Sequence, residues 1–252
     1  MCDSKTCQVE VGRAQRRSFL RRTSGAALAA AIAGVLSGKS AIGAGTEALP
    51  PKPQNDLTPD ESIKRLMEGN ARYVSGVMRR HDFVHEREAL NGGQNPYAAV
   101  LSCADSRVAP EYAFDSARGD LFVTRVAGNF VNSDVLGSLE YAVAVLKVPV
   151  ILVLGHDKCG AVDAAVKIAT KGATYPGRIQ SLARAILPSV NKVRAGAGAA
   201  NLLDAAIAQN VRDGMDNLRV QSEIVKAAEA ADRLKIIGGI YRLDSGKVEF
   251  LA

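Results

Sequence analysis

The chain has 252 residues, 47% of them apolar and 23% charged, and a net charge of +6. That balance is ordinary for a folded globular protein and excludes an intrinsically disordered chain. The charge is also unevenly placed: residues 1–43 hold seven Lys or Arg against Asp3 and Glu10, a net of +5. The remainder is nearly neutral, has no tryptophan and shows no basic stretch interleaved with aromatics, which excludes nucleic-acid binding.

The basic N-terminus carries "RRSFLRR" from Arg16 to Arg22, followed by an apolar, alanine-rich run from Gly25 to Leu36. This pairing resembles a twin-arginine export signal. The run ends after 12 residues at Ser37, Gly38 and Lys39, short of the roughly 20 needed to span a bilayer, so no permanent membrane span is expected. An amphipathic basic arm is the competing reading. The organisation expected is an export signal over residues 1–45, removed among the small residues between Gly43 and Ala48, then a proline-rich linker over 46–57 and one domain over 58–252. Export places the mature chain in the periplasm, or in a thylakoid lumen if the host has one. Cys2 and Cys7 leave with the leader, and Cys103 and Cys159 stay.

The folded part opens with "TPDESIKRLMEGNARYVSG". Thr58 is predicted to cap a helix, with Pro59 at its first position and Glu61 completing a capping box. Ile63, Leu66, Met67 and Val74 follow at helical spacing, so this helix needs a sheet face or another subunit to cover it.

Apolar runs then alternate with amphipathic ones. "YAAVLSC" (97–103), "LFVTRVA" (121–127) and "VPVILVLGH" (148–156) read as strands covered on both faces, with helix-like "SDVLGSLEYAVAVL" before the third. Helical stretches near 157–170, 178–194 and 201–230 come next, with a flexible "RAGAGAA" connection over 194–200. The chain closes with a strand, an Asp244-Ser245-Gly246 turn and a returning strand. The fold class predicted is α/β: a mainly parallel sheet of order 2-1-3-4 with an antiparallel C-terminal edge strand, flanked by helices.

Parallel sheets present functional residues at the carboxyl ends of their strands, where strand order reverses. Cys103 ends the first strand, His156 ends the third and Cys159 lies just beyond it, so order 2-1-3-4 makes the three converge. Two thiolates and an imidazole form a tetrahedral zinc set with one open position, the pattern of a catalytic site. Competing readings are a Cys103–Cys159 disulfide and a buried cysteine pair beside a core histidine. Two thiolates already neutralise Zn²⁺ and weaken it as a Lewis acid. Asp105, two residues beyond Cys103, can take the fourth position itself or hydrogen-bond to a bound hydroxide and orient it. Arg107 decides between these by holding the carboxylate bidentately.

In order along the chain, "CADSRV", "RVAGN", "EYAV" and "GHDKCGA" resemble a β-class carbonic anhydrase over roughly Thr58 to Leu251. The resemblance implies one zinc per chain on Cys103, His156 and Cys159, with Asp105 and Arg107 as the catalytic dyad. It also implies a pocket completed by Gln94 from a partner subunit and walled by Phe122, Tyr141 and Gly160, hence a homodimer or higher even oligomer. The activity implied is hydration of CO₂ to bicarbonate and a proton. Hydrolysis of carbonyl sulfide or carbon disulfide, and a non-catalytic zinc-bearing partner protein, are the alternatives. The inhibitory bicarbonate pocket of some bacterial members needs a tryptophan, which this chain lacks. His81 and His85, in "RHDFVHER", are read as solvated loop residues rather than proton shuttles.

Overall fold

The computed structural model describes residues 56–196 and 201–251. The expected export signal, nearly all of the linker and residues 197–200 of the glycine-rich connection lie outside the described residues.

Helix α1 (Pro59–Ser75) starts as its sequence requires. Thr58 Oγ1 accepts the Glu61 N–H, the Glu61 carboxylate accepts the Thr58 N–H at 2.7 Å, and Gly76 closes the helix in the left-handed region at φ +74°. A short α2 (Phe83–Ala89), capped by the Asp82 carboxylate, precedes strand β1 (Ala98–Ser102). Then follow α3 (Pro110–Ala113), β2 (Leu121–Arg125), α4 (Ser133–Ala144) and β3 (Val150–His156). Helices α5 (Gly160–Lys171), α6 (Ile179–Arg194), α7 (Leu202–Gln221) and α8 (Glu223–Ala230) lead to β4 (Lys235–Tyr241) and β5 (Val248–Leu251).

The sheet order is β2-β1-β3-β4-β5, with β5 antiparallel and every other pairing parallel, as the sequence predicts. Every residue of β1 and β3 is buried, which explains their unbroken apolar runs. Alternate residues feed two cores. Ala99, Leu101, Ile151 and Val153 pack with Leu139, Val211 and Leu218 on the face of α4, α7 and α8. Ala98, Val100, Leu152 and Leu154 pack with Leu66 and Phe114 on the face of α1 and α3.

Helix α1 therefore packs on its own sheet through Leu66 and Ile63, while Met67 and Val74 stay exposed. It sits so close that a Cβ on Gly69 would lie 1.9 Å from the Phe114 carbonyl oxygen. Buried Asn70 locks it there: its Nδ2 donates to the Ala113 and Gly246 carbonyls, and its Oδ1 accepts the Val248 N–H.

The helix predicted as continuous over 201–230 is two helices broken at Ser222. This residue is extended, at φ −127° and ψ 111°. Its hydroxyl accepts the Val225 N–H as the cap of α8 and donates to Glu140 at 2.5 Å. Among the described residues no helix is long and apolar enough to cross a membrane.

Candidate metal centre

Strands β1 and β3 are parallel neighbours in register Ser102 to Leu154, so their carboxyl ends lie together. Cys103 follows the last residue of β1, His156 is the last residue of β3, and Cys159 is the N-cap residue of α5. All three are buried, and their ligating atoms lie within 4.8 Å of one another. The sulfurs are 3.9 Å apart, nearly twice the ~2.05 Å of a disulfide, so both cysteines are free thiols.

The donor set fits a metal ion. His156 Nδ1 lies 2.9 Å from the Asp157 carbonyl oxygen, which accepts only, so the proton belongs on Nδ1 and Nε2 carries the lone pair. That Nε2 is buried and has no hydrogen-bond partner in the protein. A buried polar atom left this way asks for a ligand. The sulfurs make the same demand by charge. Cys103 is held well below the usual thiol range by the Cys159 thiol first, then by His156 and the Gly128 and Asp105 N–H groups, against the cost of burial. Cys159, facing that thiolate, keeps its proton far above its ordinary range, although the Ala161 and Val162 N–H groups of the α5 N-terminus oppose this. One sulfur ionises readily, and the second needs a cation to do so. Burial pulls His156 towards neutrality, yet the Cys103 thiolate keeps its pKa above the ordinary value.

Asp105 and Arg107 form a bidentate pair beside this group. Arg107 Nη2 donates to Asp105 Oδ2 at 2.7 Å, and Arg107 Nε and N–H donate to Oδ1, each at 2.9 Å. These bonds hold the Asp105 carboxyl well below the usual carboxylate range, although its partial burial opposes them. Asp105 Oδ2 is 3.8 Å from His156 Nε2, so the pair faces the group while Arg107 occupies both carboxylate oxygens.

Arg125, at the end of β2, braces the same loop. Its Nε donates to the Cys103 carbonyl at 3.0 Å, and its Nη2 to those of Asp105 and Val108 at 2.7 and 2.8 Å. Sequence reasoning passes over it, although it stands in "RVAGN". It also passes over Gly128, whose N–H reaches Cys103 Sγ and whose φ of +83° lets the backbone press against Ile186.

A family profile described as "Carbonic anhydrase" matches residues 98–248. Carbonic anhydrase of Mycolicibacterium smegmatis is 40% identical over 192 residues, 76% of this chain and 92% of the relative. Carbonic anhydrase 2 of Mycobacterium tuberculosis is 40% identical over 193 residues, with the same coverage. Among solved structures, a Coccomyxa β-carbonic anhydrase in complex with acetazolamide superposes with a TM-score of 0.58 at 29% identity, covering 76% of this chain and 82% of that one. The chain belongs to the β-class carbonic anhydrase family.

For a β-carbonic anhydrase, the remaining predicted site residues fall into two places. Gly160 adjoins Cys159 at the start of α5, with open space where a side chain would project. Gln94, Phe122 and Tyr141 stand apart from the metal group. Gln94 is exposed on the loop before β1, at the amino end of the strands, whereas Cys103 lies beyond their carboxyl end. A strand of five residues separates these ends by about 16 Å. Phe122 pairs with Ala99 near the start of β2, and its ring lies 6.2 Å from that of half-exposed Tyr141.

The two histidines, His81 before α2 and His85 within it, divide. His85 is exposed and 2.7 Å from the exposed Asp82 carboxylate, as a solvated residue should be. His81 is not solvated: its side chain is only 19% exposed, and its Nδ1 lies 3.2 Å from buried Glu86 Oε1 and its Nε2 3.8 Å from buried Asp115 Oδ1. It ties α2 to the loop after α3.

Proposed function

We propose that this chain catalyses the reversible hydration of carbon dioxide to bicarbonate and a proton, with one zinc ion per chain held by Cys103, His156 and Cys159. The observation that carries this reading is the buried Cys-His-Cys group, with its orphaned Nε2, directly beside the Asp105–Arg107 pair. When bound there, zinc supplies a Lewis acid that makes water a nucleophile near neutral pH.

The chain's own residues account for the rest. Asp105, held ionised by Arg107, accepts a hydrogen bond from the reacting water and orients its lone pair towards the substrate carbon. Because the carboxyl sits so far below its usual range, Asp105 stays an acceptor at neutral pH and stores no proton. Arg107 keeps both carboxylate oxygens engaged and so would keep Asp105 from binding the metal itself. The bare Gly160 leaves room for carbon dioxide at the start of α5.

The pocket is completed by a second copy of the chain. Strand β2 is the parallel edge of the sheet and is only half-buried, unlike β1 and β3. A two-fold pairing along this edge sets the amino end of one sheet beside the carboxyl end of the other. Gln94, Phe122 and Tyr141 of the partner subunit then approach Cys103, His156 and Cys159. The amide of Gln94 donates to a substrate oxygen, and the two rings supply the apolar wall that carbon dioxide needs.

The basic leader supports export through a twin-arginine route, which carries folded protein and so lets zinc shield both thiolates before an oxidising compartment is met. Changing Arg16 and Arg17 to Lys should retain the precursor in the cytoplasm. The test of the activity is stopped-flow hydration of carbon dioxide by the zinc-loaded chain, with carbonyl sulfide and carbon disulfide as rival substrates. Fast hydration with negligible turnover of the sulfur compounds supports the proposal, and the reverse order overturns it.

A further inference from the structure

Three atoms of Asp157 tie His156 to a distant part of the chain. Its carbonyl oxygen lies 2.9 Å from His156 Nδ1, its N–H donates to the Tyr241 carbonyl at 3.2 Å, and its carboxylate Oδ1 accepts the Leu243 N–H at 3.0 Å. Asp157 thus joins the metal-binding end of β3 to the point where β4 runs into the turn before β5. Lys158, the next residue, is left-handed at φ +52°, a conformation that a lysine keeps only where its surroundings fix it.

The Asp157 carbonyl decides which nitrogen of His156 carries the proton. A carbonyl accepts and never donates, so the imidazole must present Nδ1–H to it and expose its lone pair at Nε2. Metal-ligating histidines are usually oriented by such a partner on the other ring nitrogen. Here the partner is itself anchored, because the direction of the carbonyl is set by the peptide plane between Asp157 and Lys158. The Asp157 carboxylate pins that plane to the Leu243 N–H. Without the anchor, the carbonyl can turn away and the ring can rotate or change tautomer.

We propose that Asp157 is a positioning residue: its carboxylate, anchored on the Leu243 N–H, holds the Asp157 carbonyl against His156 Nδ1 and so keeps Nε2 ready for the metal. The inference rests on His156 being a metal ligand, as proposed above. Two properties of the carboxylate can be separated, because Arg107 and Arg242 both feel its charge whereas the Leu243 N–H needs only an acceptor. Asp157→Asn keeps the acceptor and removes the charge, and Asp157→Ala removes both.

The experiment measures zinc affinity by competition with a chromophoric chelator, and solvent exchange of the His156 Nδ1–H by ¹⁵N NMR on the zinc-loaded full chain. In the unmodified chain this proton should exchange slowly. Asp157→Asn should keep that protection and bind zinc within about threefold of the unmodified chain, whereas Asp157→Ala should bind about 10- to 100-fold more weakly with a fast-exchanging Nδ1–H. Unchanged affinity with a protected Nδ1–H in Asp157→Ala would make Asp157 only a turn cap and overturn the proposal. An Asn variant as weak as the Ala variant would also overturn it, by assigning the effect to charge. Should Asp157→Ala not fold, a fast-exchanging Nδ1–H in the unmodified chain, or a weak Asn variant, still refutes it. Full zinc occupancy in His156→Ala would instead sink the metal assignment itself, a failure distinct from all of these.

Discussion

Replacing Arg125 isolates how much of the site depends on the brace beneath it. Its guanidinium makes three hydrogen bonds, to the carbonyls of Cys103, Asp105 and Val108, at 3.0, 2.7 and 2.8 Å. A hydrogen bond from a charged donor contributes about 1.5–3 kcal/mol, and water at this half-exposed strand end recovers part of that on removal. About 1 kcal/mol per bond is then the working figure, or about 3 kcal/mol for Arg125→Ala. Lysine in its place reaches one carbonyl at a time and should restore no more than a third of it. All three acceptors lie on the segment that carries Cys103 and Asp105, so the loss should fall on that segment as well as on global stability. The assay is urea unfolding of the zinc-loaded chain, with zinc affinity and carbon dioxide hydration measured on the same variants. The midpoint should fall, zinc should dissociate more readily, and kcat should drop more than KM rises, because Asp105 loses its aim. An Arg125→Ala variant that loses about 3 kcal/mol yet keeps zinc affinity and kcat would show that the brace serves the fold alone. One that loses nothing would refute the energetic reasoning.

The Asp105–Arg107 pair should separate zinc binding from activity. Both Arg107→Ala and Asp105→Ala should retain zinc, while hydration at neutral pH falls about 100-fold, as expected when the group that orients the reacting water is misplaced or lost. Zinc content and rate on one sample decide this, and unimpaired rates at full zinc would make the pair structural. Asn70→Ala leaves two buried carbonyls and one buried N–H without partners and should cost about 3–5 kcal/mol, read from chemical denaturation. A loss under about 1 kcal/mol would mean that α1 is held chiefly by Leu66 and Gly69. Burial pushes the Asp213 carboxyl up, but the bonds it accepts from Lys192, Ser189 and Gln209 together outweigh this and hold it below the ordinary range. Its contribution is therefore present above the unfolded pKa of about 3.9 and is lost as pH falls through the lower native value. Asp213→Asn should be less stable at pH 7, with the gap closing in acid; a gap that widens in acid would reverse the sign of the argument.

The parts of the structure legible in the sequence are those whose signal is local. The unbroken apolar runs ending at Cys103 and His156 mark strands covered on both faces, and the strand order then brings those ends together. Thr58, Pro59 and Glu61 mark the start of α1 because capping is a contact between residues three apart. What escaped notice depends on distant partners. The break at Ser222 combines a local cap, its hydroxyl on the Val225 N–H, with a bond to Glu140 82 residues away, and helical periodicity around Ser222 reveals only the apolar stripe. His81 has the composition of a loop residue, but Glu86 and Asp115 enclose it. Arg125 and Asp157 act on backbone groups, which every residue has, so no pattern of side-chain types singles them out. Phe122 and Tyr141 carried as much of a core signal as of a pocket signal, and the structure puts them in contact with each other, remote from their own chain's Cys103.

The central claim is that Cys103, His156 and Cys159 hold a zinc ion at which this chain hydrates carbon dioxide. The measurement that tests it most directly is zinc content and stopped-flow hydration on the same preparations of the unmodified chain and of Cys159→Ala. One zinc per chain with rapid hydration in the first, and loss of both zinc and activity in the second, is the result predicted. Full zinc in Cys159→Ala, or a fully zinc-loaded unmodified chain that does not hydrate carbon dioxide, would contradict it.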